Sequence, residues 1–193
     1  MATILTGARR WWPALVVSAL LLTLCGGLIV RSLDYNDGAL VYALDDAYIH
    51  MSIARNFVEQ GVWGITPYAY SSTSSSPLWT LLIAISYVPG VNEITPLLLN
   101  LVLGVAVVFA AERLLRRLRV LALVRLAALA LMVILTPLET LVLTGMEHVL
   151  QILLVVLFLD AGTRLLAEPP PLASWAWARL ALLGMLTGTA RYE

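Results

Sequence analysis

The hydrophobic pattern of the chain is a series of long apolar runs, with one long mixed segment after the first. Runs close to membrane length occur at Trp12–Val30, Ile94–Ala111, Leu126–Leu143, Met146–Leu166 and Trp175–Glu193. Crossing a hydrocarbon core of about 30 Å takes about 20 residues of α-helix. The mixed segment runs from Arg31 to Glu93. Within it, Ile49, Ile53 and Phe57 recur at helical spacing and Gly61 stands where a C-cap belongs, which predicts a helix over Asp46–Gln60. On a helical wheel Tyr48, Ser52, Arg55, Asn56 and Glu59 form its polar side, while Asp46 and His50 fall with Ile53 and Phe57. The helix is amphipathic and suits a membrane surface. Pro77–Val88 is apolar but only about 12 residues long, a length that favours an interfacial or re-entrant segment.

Composition sharpens the picture. Hydrophobic residues make up 61% of the 193 and charged residues 12%, against about 25% charged in an ordinary soluble domain. Mean hydropathy is +0.90. Such a chain cannot surround itself with a water-facing surface, so the fold expected is an all-α polytopic membrane protein of about five transmembrane helices. Its zero net charge argues against a nucleic-acid partner. The one cysteine, Cys25, lies inside an apolar run, so no intrachain disulfide can form.

Charge also sets an expected topology. Arg9 and Arg10 place the N-terminus in the cytoplasm by the positive-inside rule, and the first run reads as a retained signal anchor. Arg113, Arg116, Arg117, Arg119 and Arg125 form the densest basic cluster. They fall inside only if Pro77–Val88 does not cross. The segment 31–93 is therefore expected on the outer face of a bacterial plasma membrane, with surface helices near 46–60 and 77–88. Thr144–His148 then becomes an outer turn and Glu168–Ser174 an inner link, with Asp160 and Arg164 pairing near the inner end. The chain ends within helical sequence, which reads as the N-terminal part of a longer protein.

Candidate chemistry gathers on that outer side. Asp45 and Asp46 suit a helix N-cap and first turn; a second carboxylate on the apolar face also suits catalysis or ligand binding. His50 reads as bonded to Asp46 or as a catalytic group. Arg55 reads as paired with Glu59 or as holding a lipid phosphate. Ser76 before Pro77 fits a helix start, and the Ser71–Ser76 hydroxyls also suit a sugar. Tyr68, Tyr70 and Trp79 read as interfacial anchors or sugar-stacking rings. Glu147, Arg191 and Glu193, with Glu139 nearby, lie toward the same side, where ionisable groups at helix ends are functional candidates.

The segment LDDAYIHMSIARNFVEQG, followed by a Tyr-rich spacer and TSSSPLWTLLIAI, resembles the first outer loop of the GT-C superfamily of glycosyltransferases, in the branch of bacterial cell-wall arabinofuranosyltransferases. TGMEHVL resembles the family's Thr-Gly-x-Glu turn. ARYE resembles its Arg-Pro-Glu segment, with Tyr192 in place of proline. The resemblance implies transfer of a sugar from a polyprenyl-phosphate donor to a glycan, lipid or protein acceptor at the outer face, with inversion. Asp46 or Asp45 would be the general base. His50, Arg55, Ser76, Trp79, Glu147, Arg191 and Glu193 would line the substrate site, with Arg55 and Arg191 as candidates for the leaving phosphate. Some members use a divalent cation (Mg or Mn) at the acidic motif, for which Asp45 and Asp46 would be the ligands; others use none.

Two other classes compete. A transporter or flippase of lipid-linked sugars predicts ionisable groups near the bilayer midplane. A membrane assembly subunit would use the loop helix for docking, and predicts that Asp45, Asp46 and Glu147 do not share one cavity.

Overall fold

A computed structural model describes residues 2–167 and 174–191, with side chains from Trp11 onward. Among them are eight α-helices and no strand: α1 (Ala2–Tyr35), α2 (Asp45–Gln60), α3 (Pro77–Tyr87), α4 (Thr95–Arg117), α5 (Ala122–Leu135), α6 (Leu138–Leu143), α7 (His148–Ala167) and α8 (Ser174–Ala190). Three stretches are long and apolar enough to cross a membrane: Trp11–Tyr35, Thr95–Arg117 and His148–Ala167. Their outward surfaces expose large apolar side chains, among them Leu15, Val16, Leu22, Val102 and Leu159. In water so much apolar surface would be a liability; against lipid tails it carries no cost.

The run expected over 126–143 is not one helix. It divides at Thr136–Pro137 into α5, of 14 residues, and α6, of 6. Proline lacks an amide proton and crowds the preceding turn, so a helix breaks there. The run from Met146 starts as a helix at His148, because Gly145 adopts the left-handed conformation (φ 71°). The run from Trp175 is a 17-residue helix that starts at Ser174. The inner link Glu168–Ser174 lies outside the described residues up to position 173, as do the side chains of Arg9 and Arg10.

Side-chain contacts order the helix ends. Trp11, near the start of α1, packs on Phe109 of α4, and the Arg116 guanidinium sits 4.2 Å from its ring centre. Arg113 and Arg117 of α4 bind Asp160 of α7 at 2.5 and 2.8 Å. Arg125 of α5 binds the buried Glu112 at 3.0 Å. These contacts define one pole, rich in arginine. The Asp160–Arg164 pair expected there forms at 3.7 Å, but Arg113 and Arg117 are the closer partners.

At the other pole, the Tyr42 hydroxyl donates to the Glu93 carbonyl (2.7 Å) and accepts from the Leu97 amide (3.3 Å), tying the loop to the start of α4. Asn100 of α4 donates to the carbonyls of Met146 (2.9 Å) and Val142 (3.4 Å). Thus α5 and α6 together run from the arginine pole back to its opposite. Leu21, Val107, Val133, Leu138, Val142 and Val149 form the core between these helices.

A second core seats α2 and α3 on α7 and α8, through Ala54, Trp79, Ile83, Leu150 and Leu183. The α3 helix starts as its sequence predicts: Ser76 accepts from the Trp79 amide at 3.4 Å and Pro77 opens the first turn. It is half-buried against protein, with Trp79, Thr80, Ile83, Ala84 and Tyr87 inside.

Candidate functional site

The site is built where α2 crosses the turn before α7. Helix α2 starts one residue earlier than predicted. Its N-cap is Leu44, with no side-chain cap bond, so neither aspartate caps it; both lie exposed in the first turn. Carboxylates there face the positive end of the helix dipole. Gly61 closes the helix in the left-handed conformation, as its sequence indicates.

The buried stripe of α2 is Ala47, His50, Met51, Ile53, Ala54 and Asn56. The wheel assigned Asn56 to the polar side and Phe57 to the apolar side; the structure reverses both. Asn56 turns in and donates to the carbonyls of Gly64 (2.8 Å) and Ile65 (2.9 Å), pinning the loop that follows. Phe57 turns out and packs edge-on against Trp63, with centroids 5.5 Å apart. The periodicity placed His50 and Ile53 on the buried side, and loop hydrogen bonding through Asn56 set the rest of the rotation.

His50 is almost wholly buried, at 1% exposure. Its expected bond to Asp46 does not form. Nδ1 lies 2.8 Å from the Thr80 hydroxyl and 3.4 Å from that of Ser74, and these two hydroxyls are 2.9 Å apart. Nε2 faces Glu147, 3.7 Å from Oε2, too long for a hydrogen bond. Burial pushes the imidazole below its ordinary 6.5, while the charges of Glu147 and, more weakly, Asp46 push it back up.

Glu147 is equally buried, and Oε2 has no hydrogen-bond partner. Its other oxygen lies 3.9 Å from Nδ1 of His148, which lies 3.4 Å from the Arg191 guanidinium. The result is a row of polar groups, Thr80, His50, Glu147, His148 and Arg191, drawn from four segments. Asp46 stands within electrostatic reach of one end. Asp45, one turn before Tyr48, lies on the neighbouring face of α2.

Glycine makes this row possible. A Cβ at Gly145 would lie 2.6 Å from the Tyr42 ring, closer than any real contact. The resulting turn aims Glu147 at His50 and presents the Gly145 carbonyl to the Trp79 indole N–H at 3.1 Å.

The other expected residues divide. Ser76 and Trp79 are wholly buried, as helix cap and core anchor, so neither offers a sugar a surface. Tyr68 and Tyr70 are exposed. Arg55 is exposed and, among the described residues, makes no ion pair with Glu59; it borders a cavity of about 130 Å³ between α2, α3 and Glu93. Glu139 lies deeper than expected. It borders a cavity of about 320 Å³ with Thr23, Leu24, Gly27, Leu28 and Arg31, between the middle and the end of α1. Glu193 lies outside the described residues. His148, Thr80 and Tyr87 were not singled out from sequence; only His148, beside Glu147 in the turn, carried a signal.

Among the described residues, no group of three or more His, Cys, Asp or Glu side chains is placed to hold a metal ion. Asp45 and Asp46 are consecutive and exposed in the first turn of α2. Compared with protein-family models, curated proteins and solved structures, the chain has no match.

Proposed function

We propose that this chain carries the acceptor-activating part of a membrane glycosyltransferase that takes its sugar from a polyprenyl-phosphate donor. The observation that carries the reading is the row His50–Glu147–His148–Arg191 at the pole opposite the Asp160 arginines, with the exposed Asp46 within electrostatic reach of His50. By the positive-inside rule the arginine pole is cytoplasmic and the acidic pole faces outward. In this reading α5–α6 and α8 also cross, bringing the count to five.

The chemistry follows from placement. A lipid-linked phosphate lies at the membrane surface, where the first turn of α2 can hold a carboxylate. Asp46 or Asp45 takes the proton from the acceptor hydroxyl. The acceptor oxygen bonds to the anomeric carbon from the side opposite the phosphate, the bond to the phosphate oxygen breaks, and the lipid phosphate leaves with the electron pair. A base must come within about 3 Å of the acceptor oxygen. Arg191, at the end of the row, is the cation suited to the phosphate. A Mg²⁺ ion held by Asp45 and Asp46, if one binds, would supply neutralising charge there.

The test is transfer by the chain in lipid nanodiscs, with polyprenyl-phosphate arabinofuranose and polyprenyl-phosphate mannose as donor probes. Asp45→Asn and Asp46→Asn are expected to separate, one losing at least about 100-fold. Full transfer by both variants would sink the proposal.

One observation favours a second reading. Glu139, with a buried oxygen lacking a hydrogen-bond partner, borders a cavity beside the middle of α1, where a transporter of lipid-linked sugars would place an ionisable group. Lipid-linked sugar flipping by reconstituted chain that Glu139→Gln abolishes, with no transfer to any acceptor, would favour it.

A further inference from the structure

Outside the His50–Glu147 row lies a small cavity that the proposed chemistry does not use. It is bordered by α2, the end of α3 and the turn leading to α4, and has a volume of about 130 Å³. Five of its lining side chains are polar or aromatic: Tyr48, Ser52, Arg55, Tyr87 and Glu93.

Tyr87 is the informative one. It is 1% exposed, and its hydroxyl has no hydrogen-bond partner. A buried hydroxyl left unpaired costs about 1–3 kcal/mol, so folds rarely keep one without use. Its side chain borders the cavity together with Arg55 and Glu93, and both charges act on its phenol.

The lining also defines its ligand. Arg55 only donates hydrogen bonds, Glu93 only accepts them, and Ser52 and Tyr87 do both. The opposed charges of Arg55 and Glu93 balance. An anion such as phosphate would meet the Glu93 carboxylate, whereas a neutral polyol can bond to all four groups. Two tyrosine rings border the space, with the Tyr48 hydroxyl already engaged by the Tyr42 amide at 3.0 Å. The volume is well below the roughly 300 Å³ at which pockets for drug-sized ligands begin. It suits one small ring.

We propose that this cavity is a subsite for a single sugar ring, held by Arg55, Glu93, Ser52 and the Tyr87 hydroxyl. The choice of a sugar over other neutral polyols rests on the glycosyl-transfer reading. Asp45 lies one turn before Tyr48 on α2.

The experiment is saturation-transfer NMR on the chain in nanodiscs, with methyl arabinofuranoside, methyl mannopyranoside and inorganic phosphate as probes. At least one glycoside is expected to bind. Tyr87→Phe and Glu93→Gln are each expected to weaken that binding at least fivefold, and phosphate is expected not to compete. Folding is controlled internally, since Tyr87→Phe removes only an unpaired hydroxyl and should keep or raise Tm. Absence of glycoside binding, equal binding by wild type and both variants, or displacement by phosphate would each overturn the subsite. Binding is read without turnover, so the two proposals fail separately. Glycoside binding without transfer by wild type leaves the subsite and removes the enzyme; transfer without binding that depends on Tyr87 and Glu93 does the reverse.

Discussion

Nε2 of His50 stands 3.7 Å from Oε2 of Glu147, and both side chains are about 1% exposed. An imidazole and a carboxylate so placed constrain each other. Burial disfavours charge on the imidazole, while the Glu147 carboxylate favours it.

The first prediction concerns pH. The folded-state pKa of His50 is lowered below its ordinary 6.5, chiefly by burial. Above that value both folded and unfolded states hold a neutral ring, and the group does not affect stability. As pH falls through 6.5 the unfolded chain takes up a proton first, so stability declines. Tm in nanodiscs should fall as the buffer is taken from pH 7.5 to 5.5, and His50→Gln should flatten that slope. An unchanged slope in the variant would remove His50 as its cause.

Glu147 separates stability from function. Its partly unsatisfied buried carboxylate carries a desolvation cost, which the amide of Glu147→Gln reduces. Tm should hold or rise, while transfer should fall at least about tenfold, on the scale of 1.4 kcal/mol lost from transition-state binding. A variant that is less stable and equally active would reverse the assignment.

Gly145→Ala tests the turn. A Cβ there meets the Tyr42 ring at 2.6 Å and φ is 71°. The left-handed conformation alone costs roughly 1–2 kcal/mol for a residue with a Cβ, and the clash adds to it. The expected outcome is a clear drop in Tm together with loss of transfer, because the turn aims Glu147.

At the arginine pole, Asp160 is 1% exposed and takes Arg113, Arg117 and Arg164. Removing one partner of a buried ion pair costs about 3–5 kcal/mol, so Asp160→Asn should strongly destabilise the helix bundle. Arg164→Gln should change little, since that side chain is 41% exposed and 3.7 Å away. Thermal unfolding of both variants distinguishes the two roles.

Much of the fold was legible as pattern. Apolar runs located the helices, Gly61 located the end of α2, and Ser76-Pro77 located the start of α3. Each is a local signal, because caps and backbone limits act within one helical turn. The break at Pro137 was legible too, but the length of the apolar run hid it. The candidate site was legible only in part. The pattern put Asp45, Asp46, His50, Glu147 and Arg191 toward one side. It did not reveal that His50 bonds Thr80 instead of Asp46, or that Ser76 and Trp79 are buried.

The sequence by itself determined the helical class and the apolar character of the long helices, since 61% of the residues are hydrophobic and 12% charged and helical periodicity is local. Only the tertiary structure decided the final rotation of α2. That depended on Asn56 reaching the carbonyls of Gly64 and Ile65, and on Thr80 and Glu147 arriving beside His50 from distant segments. Those contacts are long-range pairings, and a pattern with a period of one helical turn cannot encode which neighbour will be met.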